Sequence, residues 1–200
     1  MRSDWHTQSR DILRARLAVA ATDIFAAEGF DAVSAESVAH RLGISRATFF
    51  RYFASKDEAV LSTLTAPDGG YGQMLDAFDG LEVLAGESVW VAITRTLTAV
   101  GQLNERGQIA VRDRVRMVMT TPSLRTRFQE DRRERETRLA DALERSLRDR
   151  LVAEVAAAAS LSALDAAWRR WAADTSGRSR FIDVARDAFQ ALEAAGSSRP

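Results

Sequence analysis

The chain contains no cysteine, so disulfides and thiolate metal sites are excluded. It has two histidines, His6 and His40, neither of them near a partner at metal-ligand spacing, and no metal site is expected. There are only three prolines among 200 residues, while Ala, Leu, Arg and Glu are plentiful, which favours helix throughout. No segment alternates in period two for long enough to read as a strand. The fold class expected is therefore all-α. No run of about 18 residues is apolar and free of charge, so no membrane span is expected. Residues 1–11 are polar and charged, unlike a signal segment; the expectation is a cytoplasmic chain. P-loop, Gly-x-Ser-x-Gly and HExxH patterns are missing. No catalytic residue and no cofactor is assigned, and an enzyme built on a carboxylate dyad has no motif behind it.

The formal net charge is zero, which argues against coating nucleic acid non-specifically, since that relies on phosphate neutralisation. Distribution matters more than the sum. From Arg41 to Lys56 there are four basic residues (Arg41, Arg46, Arg51, Lys56) and no acidic one. Lys56 is the only lysine of the chain.

That basic stretch lies within the most informative segment, Ser34 to Lys56. Ser34 can cap a helix whose apolar face is Val38, Ala39 and Leu42. Gly43 follows where a left-handed cap belongs. Ser45 can cap a second helix through Arg46, Ala47, Thr48, Phe49, Phe50 and Arg51. Ser55, with Glu58 three residues on, fits a capping box for the next helix. Helix, short glycine turn and helix is the helix-turn-helix pattern, whose second helix can lie in the major groove of DNA. Upstream, Ile12, Leu13, Leu17, Ala21, Ile24 and Phe25 form one helical stripe closed by Gly29-Phe30. The three helices make a small bundle ending in the corner.

Residues from about 9 to 62 resemble the TetR family of transcriptional regulators. The matching residues are Ile24-Phe25, Gly29-Phe30, Ser34, Val38-Ala39, Leu42-Gly43-Ile44-Ser45, Thr48-Phe49-Phe50-Arg51-Tyr52-Phe53 and Ser55-Lys56. Many members carry Tyr where this chain has Phe50, so a hydroxyl contact to phosphate is lost at that position. The resemblance implies double-stranded operator DNA as partner and an interface of Ser34, Ser45, Arg46, Ala47, Thr48, Phe50, Arg51, Tyr52 and Lys56. Arg46 and Thr48 lie near the start of the recognition helix, where side chains reach base edges, and arginine pairs bidentately with guanine. Ala47 is small enough to approach a thymine methyl. Tyr52 and Lys56 match positions that contact phosphate. Ser34 serves equally well as a plain helix cap, and Phe49 and Phe53 read as core.

Pro67-Asp68-Gly69-Gly70 breaks the fourth helix and sets the domain boundary: residues 1–66 for DNA binding, 71–195 for effector binding and dimerisation. The second part reads as helices over Tyr71–Leu84 (interrupted near Gly80), Glu87–Leu103 and Gly107–Met119. A long helix opens at Thr121-Pro122 and runs to about Leu151. Ala153–Ala173 and Phe181–Ala194 complete it, with a break at Ser176–Ser179. The charged run Gln129–Arg138 reads as a solvated face with Asp131/Arg135, Glu134/Arg138, Asp141/Arg145 and Glu144/Arg148 pairs. Arg112, Arg114 and Arg116 also read as solvated. The resemblance implies a pocket for a small apolar or amphipathic effector, for which Met74, Phe78, Trp90, Met117, Met119 and Phe128 are candidates, although single residues of this kind are usually core. It also implies a homodimer through the last two helices, with Leu164, Trp168, Phe189 and Leu192 as contacts. The function expected is a repressor released from a palindromic operator by its effector. The competing reading is an effector-independent structural or division factor on the same fold.

Overall fold

The computed structural model describes residues 2–65, 70–100, 105–130 and 132–197. Among these residues there are eleven helices and no strand. The N-terminal bundle is α1 (Arg2–Glu28), α2 (Ala35–Arg41) and α3 (Arg46–Tyr52), followed by α4 (Lys56–Thr65). The remaining helices are α5 (Gly70–Asp79), α6 (Val89–Val100), α7 (Glu105–Thr120), α8 (Pro122–Glu130), α9 (Arg132–Leu147), α10 (Arg150–Ala173) and α11 (Phe181–Ser197). Most of the expected domain boundary, residues 66–69, lies outside the described residues.

The first core forms where the apolar stripes of α1 to α4 converge. Phe25, Phe30, Val38, Phe49, Phe53 and Val60 are buried there. Phe25 packs on Phe30 at 5.1 Å between ring centroids, and Phe49 on Phe53 at 5.2 Å. α4 packs against α1 on one side and against α5, α7 and α8 on the other. It is thus the element through which the bundle meets the rest of the chain, with a further contact from α1 to α7.

The C-terminal helices surround α10, which packs against α7, α9 and α11. α10 is long and apolar enough to cross a bilayer by length and composition, but half of its most apolar window is buried against these neighbours. It reads as a core helix. Ala153, Ala157 and Ala167 are buried there together with Leu161, Leu164, Trp168 and Trp171. Trp168 stacks on Phe181 at 3.9 Å, and Trp90 of α6 stacks on Phe189 of α11 at 6.4 Å.

Three expectations need correction. The helix expected to reach Leu151 ends at Leu147. Arg148 has a φ of 55°, and Asp149 caps α10, its carboxylate accepting from the Val152 N–H at 3.1 Å. No glycine or proline marks that corner; an aspartate N-cap inside a charged run makes it instead.

The α9 arginines are not simply a solvated face: Arg132 makes an i,i+4 pair with Glu136 but, like Arg135 and Arg138, also reaches beyond its own helix. Arg132 reaches Asp165 and Ser162 of α10, while Arg138 reaches Asp76 and Asp79 of α5. The Arg138 hydrogen bonds hold the Asp79 carboxyl below its ordinary range. Arg135 is buried over the Phe128 ring and donates to the Phe128 carbonyl at 2.7 Å. Arg150, not Arg145 or Arg148, pairs with Asp141 and Glu144. Asp131 lies outside the described residues.

Nor is Arg112 of α7 solvated, and the half-exposed Arg116 beside it is tied down. Arg112 is buried, lies 4.7 Å from the Trp171 ring centroid and donates to the Ser179 carbonyl. Arg116 donates to the Ala172 carbonyl at 2.9 Å. Together they tie α7 to the turn between α10 and α11. Inside that turn the Ser176 and Ser179 hydroxyls donate to Asp174 and hold its carboxyl well below the carboxylate range.

Candidate nucleic-acid interface

Each helix of the corner is closed by its own local chemistry. The Ser34 hydroxyl accepts from the Ser37 N–H at 3.1 Å and opens α2. At the other end Gly43 takes a φ of 69°. The Gly43 N–H then bonds to His40 O, and the Ile44 N–H bonds back to Ala39 O. This pair of bonds is a Schellman ending, and it requires a left-handed residue that glycine supplies without strain. Two residues later the Ser45 hydroxyl accepts from the Thr48 N–H at 3.0 Å and opens α3. The chain therefore turns within four residues, Leu42 to Ser45, and leaves α2 and α3 packed on each other.

The far end of α3 is anchored through α1. Arg14 donates from Nε to the Tyr52 carbonyl at 3.2 Å and from Nη2 to Glu58 at 2.8 Å. Its guanidinium also lies 5.4 Å from the Phe53 ring centroid. Glu58 completes the start of α4: Ser55 Oγ accepts from the Glu58 N–H, while Glu58 accepts from the Ala54 N–H at 2.5 Å. The return bond goes to Ala54, one residue before the capping serine, so it is a displaced capping box. Arg14 was not among the expected functional residues. Its stripe position between Leu13 and Leu17 carried the only signal.

With both ends fixed, one face of α3 is presented to solvent. Ser45, Arg46, Ala47, Phe50 and Arg51 are exposed, and Thr48 and Tyr52 are half-buried. Ser34 is exposed beside them at the start of α2. Phe49 and Phe53 point inward and are fully buried. The Arg46 guanidinium lies over the Phe50 ring at 5.6 Å, and Arg51 over the Tyr52 ring at 5.4 Å. Arg41 is neutralised by Glu28 of α1. Among the described residues neither Arg46 nor Arg51 pairs with a carboxylate.

Lys56 is placed differently from what its spacing suggests. Its ammonium donates to the Phe30 carbonyl at 2.8 Å, approaches the Val33 carbonyl at 3.5 Å and sits 4.2 Å from the Phe30 ring centroid. It thereby fastens the loop between α1 and α2 onto the start of α4.

Away from this face, Met74, Phe78 and Phe128 are buried in the core, and Trp90, Met117 and Met119 pack partly buried against it. Trp90 turns toward Phe189 of α11. The expected dimer contacts are also redistributed. Leu164, Trp168 and Phe189 are buried within the chain itself, because α10 and α11 spend their large apolar residues on each other and on α6 and α7. Leu192 does line an open hollow of about 500 Å³ between α10 and α11. Its other walls are Ala159, Ala163 and Ala166 with Arg170 of α10, and Val184, Asp187 and Ala188 of α11.

An all-α chain with a capped helix-turn-helix joined by one helix to a larger helical body defines a class of DNA-binding regulator. Residues 17–62 match the family described as bacterial regulatory proteins, tetR family, and residues 87–196 match the MftR C-terminal domain. The chain belongs to the TetR family. It is 33% identical over 104 residues to a Mycobacterium tuberculosis protein named as the mycofactocin biosynthesis transcriptional regulator MftR, covering 52% of this chain and 50% of that protein. It is 29% identical over 126 residues to the HTH-type transcriptional regulator TcmR of Streptomyces glaucescens, covering 60% of this chain and 54% of that one. The chain thus matches about half the length of these relatives. The crystal structure of the TetR family transcriptional regulator PfmR from Thermus thermophilus shares the fold, with a TM-score of 0.55 at 22% identity over 92% of this chain and 100% of that one.

Proposed function

We propose that this chain is a sequence-specific transcriptional regulator, a repressor that α3 holds on a palindromic operator and that a small effector releases. The observation that carries the reading is the face of α3. It is capped at Ser45, pinned by Arg14, and presents Arg46 and Arg51 without a carboxylate partner among the described residues. Arg46 and Ala47 sit in the first turn, where side chains reach base edges. Ser34, Ser45, Thr48 and Tyr52 supply hydroxyls around them for phosphate.

The operating form is a homodimer seated on the hollow between α10 and α11. That hollow is lined by alanines that permit close helix approach, with Arg170 on one wall and Asp187 on the other. Neither residue makes an ion pair among the described residues. A two-fold axis between them sets positive wall against negative wall twice, whereas a displaced axis would oppose like charges. The dimer would space two α3 helices roughly one DNA turn, about 34 Å, apart. An effector lodged where α4, α5, α7 and α8 meet, among Met74, Phe78, Met117 and Phe128, would act on α4 directly. DNA and effector must then weaken each other's binding by the same factor.

Mobility shift of DNA flanking the gene tests the reading, with Arg46→Ala beside the wild type. Wild type should retard a fragment at physiological salt. Arg46→Ala should weaken binding by about tenfold or more, the worth of a bidentate guanine contact. No retardation by wild type at any salt refutes it.

A further inference from the structure

Phe50 is the anomaly of the α3 face. The other phenylalanines of the bundle, Phe25, Phe30, Phe49 and Phe53, are buried, yet Phe50 is 42% exposed between two arginines. A single exposed apolar side chain is ordinary on a protein surface; what sets this ring apart is that two neighbours hold it in place. From beneath, the buried Phe49 meets it edge-on, with centroids 5.6 Å apart and planes at 82°. One turn earlier, Arg46 lies 5.6 Å from its centroid. A guanidinium stacked on a ring engages through its flat face and leaves the N–H edges of its fork free. The Thr48 hydroxyl accepts from the Ser45 hydroxyl at 3.0 Å and keeps a single proton to donate, whereas Arg46 presents a fork of donors at this end of the helix.

The ring itself offers no donor or acceptor. In the major groove a single base presents an apolar group, thymine, through its 5-methyl. Ala47, exposed next to Arg46, adds a second small apolar surface. From Arg46 to Phe50 is four residues, about 6 Å of helix rise, or one to two base steps at roughly 3.4 Å.

We propose that α3 reads a guanine and a thymine within two base pairs of each other in each half-site. Arg46, pre-oriented on Phe50, donates to guanine O6 and N7, and Phe50 with Ala47 covers the thymine 5-methyl. Phe50 is then both a positioning residue for Arg46 and a specificity residue itself. The inference rests on the DNA-binding reading above.

The test starts from duplexes enriched by the full chain from a randomised pool. The enriched duplex is remade with uracil in place of each thymine in turn, which removes the methyl and nothing else. A second set carries 7-deazaguanine in place of each guanine, which removes N7. Wild type should lose about fourfold in affinity at one thymine per half-site, what one buried methyl contributes, and more at the neighbouring deazaguanine. Phe50→Ala should shrink the difference between thymine and uracil duplexes to the small part that Ala47 supplies, while Phe50→Leu, still apolar, should keep it. Thermal unfolding of both variants checks that the bundle stands. Enrichment followed by indifference to uracil at every thymine overturns this inference and leaves the DNA-binding reading intact. Failure to enrich any sequence overturns both.

Discussion

Lys56→Met separates two roles that a single lysine at this position can play. If the ammonium contacts phosphate, its loss weakens DNA binding evenly and lowers the slope of log K against log salt by about 0.9. The geometry assigns it a different task. The ammonium donates to the Phe30 carbonyl at 2.8 Å and covers the Phe30 ring at 4.2 Å. Methionine keeps a stem of similar length and removes only the charge and its donors. A hydrogen bond from a charged donor contributes about 1.5–3 kcal/mol, and a cation over a ring about 0.5–2 kcal/mol. The side chain is half-buried, so the low ends apply and the sum is about 2 kcal/mol. For a chain of this size each kcal/mol shifts the melting temperature by roughly 2–4 °C, giving a fall of about 4–8 °C. Calorimetry on the free protein measures that shift. Binding to a fixed operator from low to high salt measures the slope, expected to match wild type. A melting temperature within about 1 °C of wild type, together with a slope lowered by about one, would refute the structural assignment and restore the phosphate contact.

Three further outcomes follow from the same ties. Arg132→Met leaves Asp165, whose side chain is 10% exposed, without its 2.5 Å partner. Because the guanidinium keeps some water contact, the loss should be about 2–3 kcal/mol in urea unfolding. Arg132→Met/Asp165→Leu should recover most of it, and a double variant no better than the single would sink the argument. Asp79, held down chiefly by the Arg138 hydrogen bonds, contributes stability that is present above its ordinary value of 3.8 and lost as pH falls through its lower folded value. Asp79→Asn should therefore be less stable than wild type by a constant amount from pH 7 to about 5, the gap closing only in stronger acid; a gap that opened on acidification would contradict the sign. Arg170→Asp and Asp187→Arg should each be monomeric in sedimentation, while their mixture dimerises; two stable homodimers would remove the proposed charge match.

What the sequence revealed and what it hid divide by range. The corner was legible because its signals are local. Ser34, Gly43 and Ser45 act on backbone groups within four residues, and the structure uses each as a cap. The apolar spacing of Phe49 and Phe53 placed both in the core. Arg14, Arg112, Arg132 and Arg138 act on partners 33 to 67 residues away, and spacing along one helix says nothing of those. The i,i+4 rule therefore missed the acids that Arg138 reaches and the arginine that Asp141 and Glu144 bind. One clue was there to be read: Arg135 lies seven residues beyond Phe128 and four before Leu139, on the apolar stripe, where a charged side chain has to find a partner inside. Leu164, Trp168 and Phe189, expected at a dimer seam, are buried within the chain for a related reason. A large apolar residue announces burial, not which surface buries it.

The arginine excess, 28 basic residues with Lys56 the sole lysine, gives the neutral net charge a physical meaning. A guanidinium offers five donors in a plane and can bond while stacking on a ring. Arg14 bonds a carbonyl and a carboxylate beside Phe53; Arg112 bonds a carbonyl against Trp171; Arg132 bonds Asp165, Glu136 and Ser162 at once. A lysine at any of these positions would keep the charge and lose most of the ties. Total charge is therefore a poor guide to the interface, since many arginines and acids cancel inside the fold. What distinguishes α3 is which cations remain uncancelled. Arg41 has Glu28 and Lys56 has two carbonyls, whereas Arg46 and Arg51 hold only rings among the described residues. A ring orients a guanidinium without neutralising it, so these two carry their charge outward, and the next carboxylate or phosphate they meet must come from another molecule.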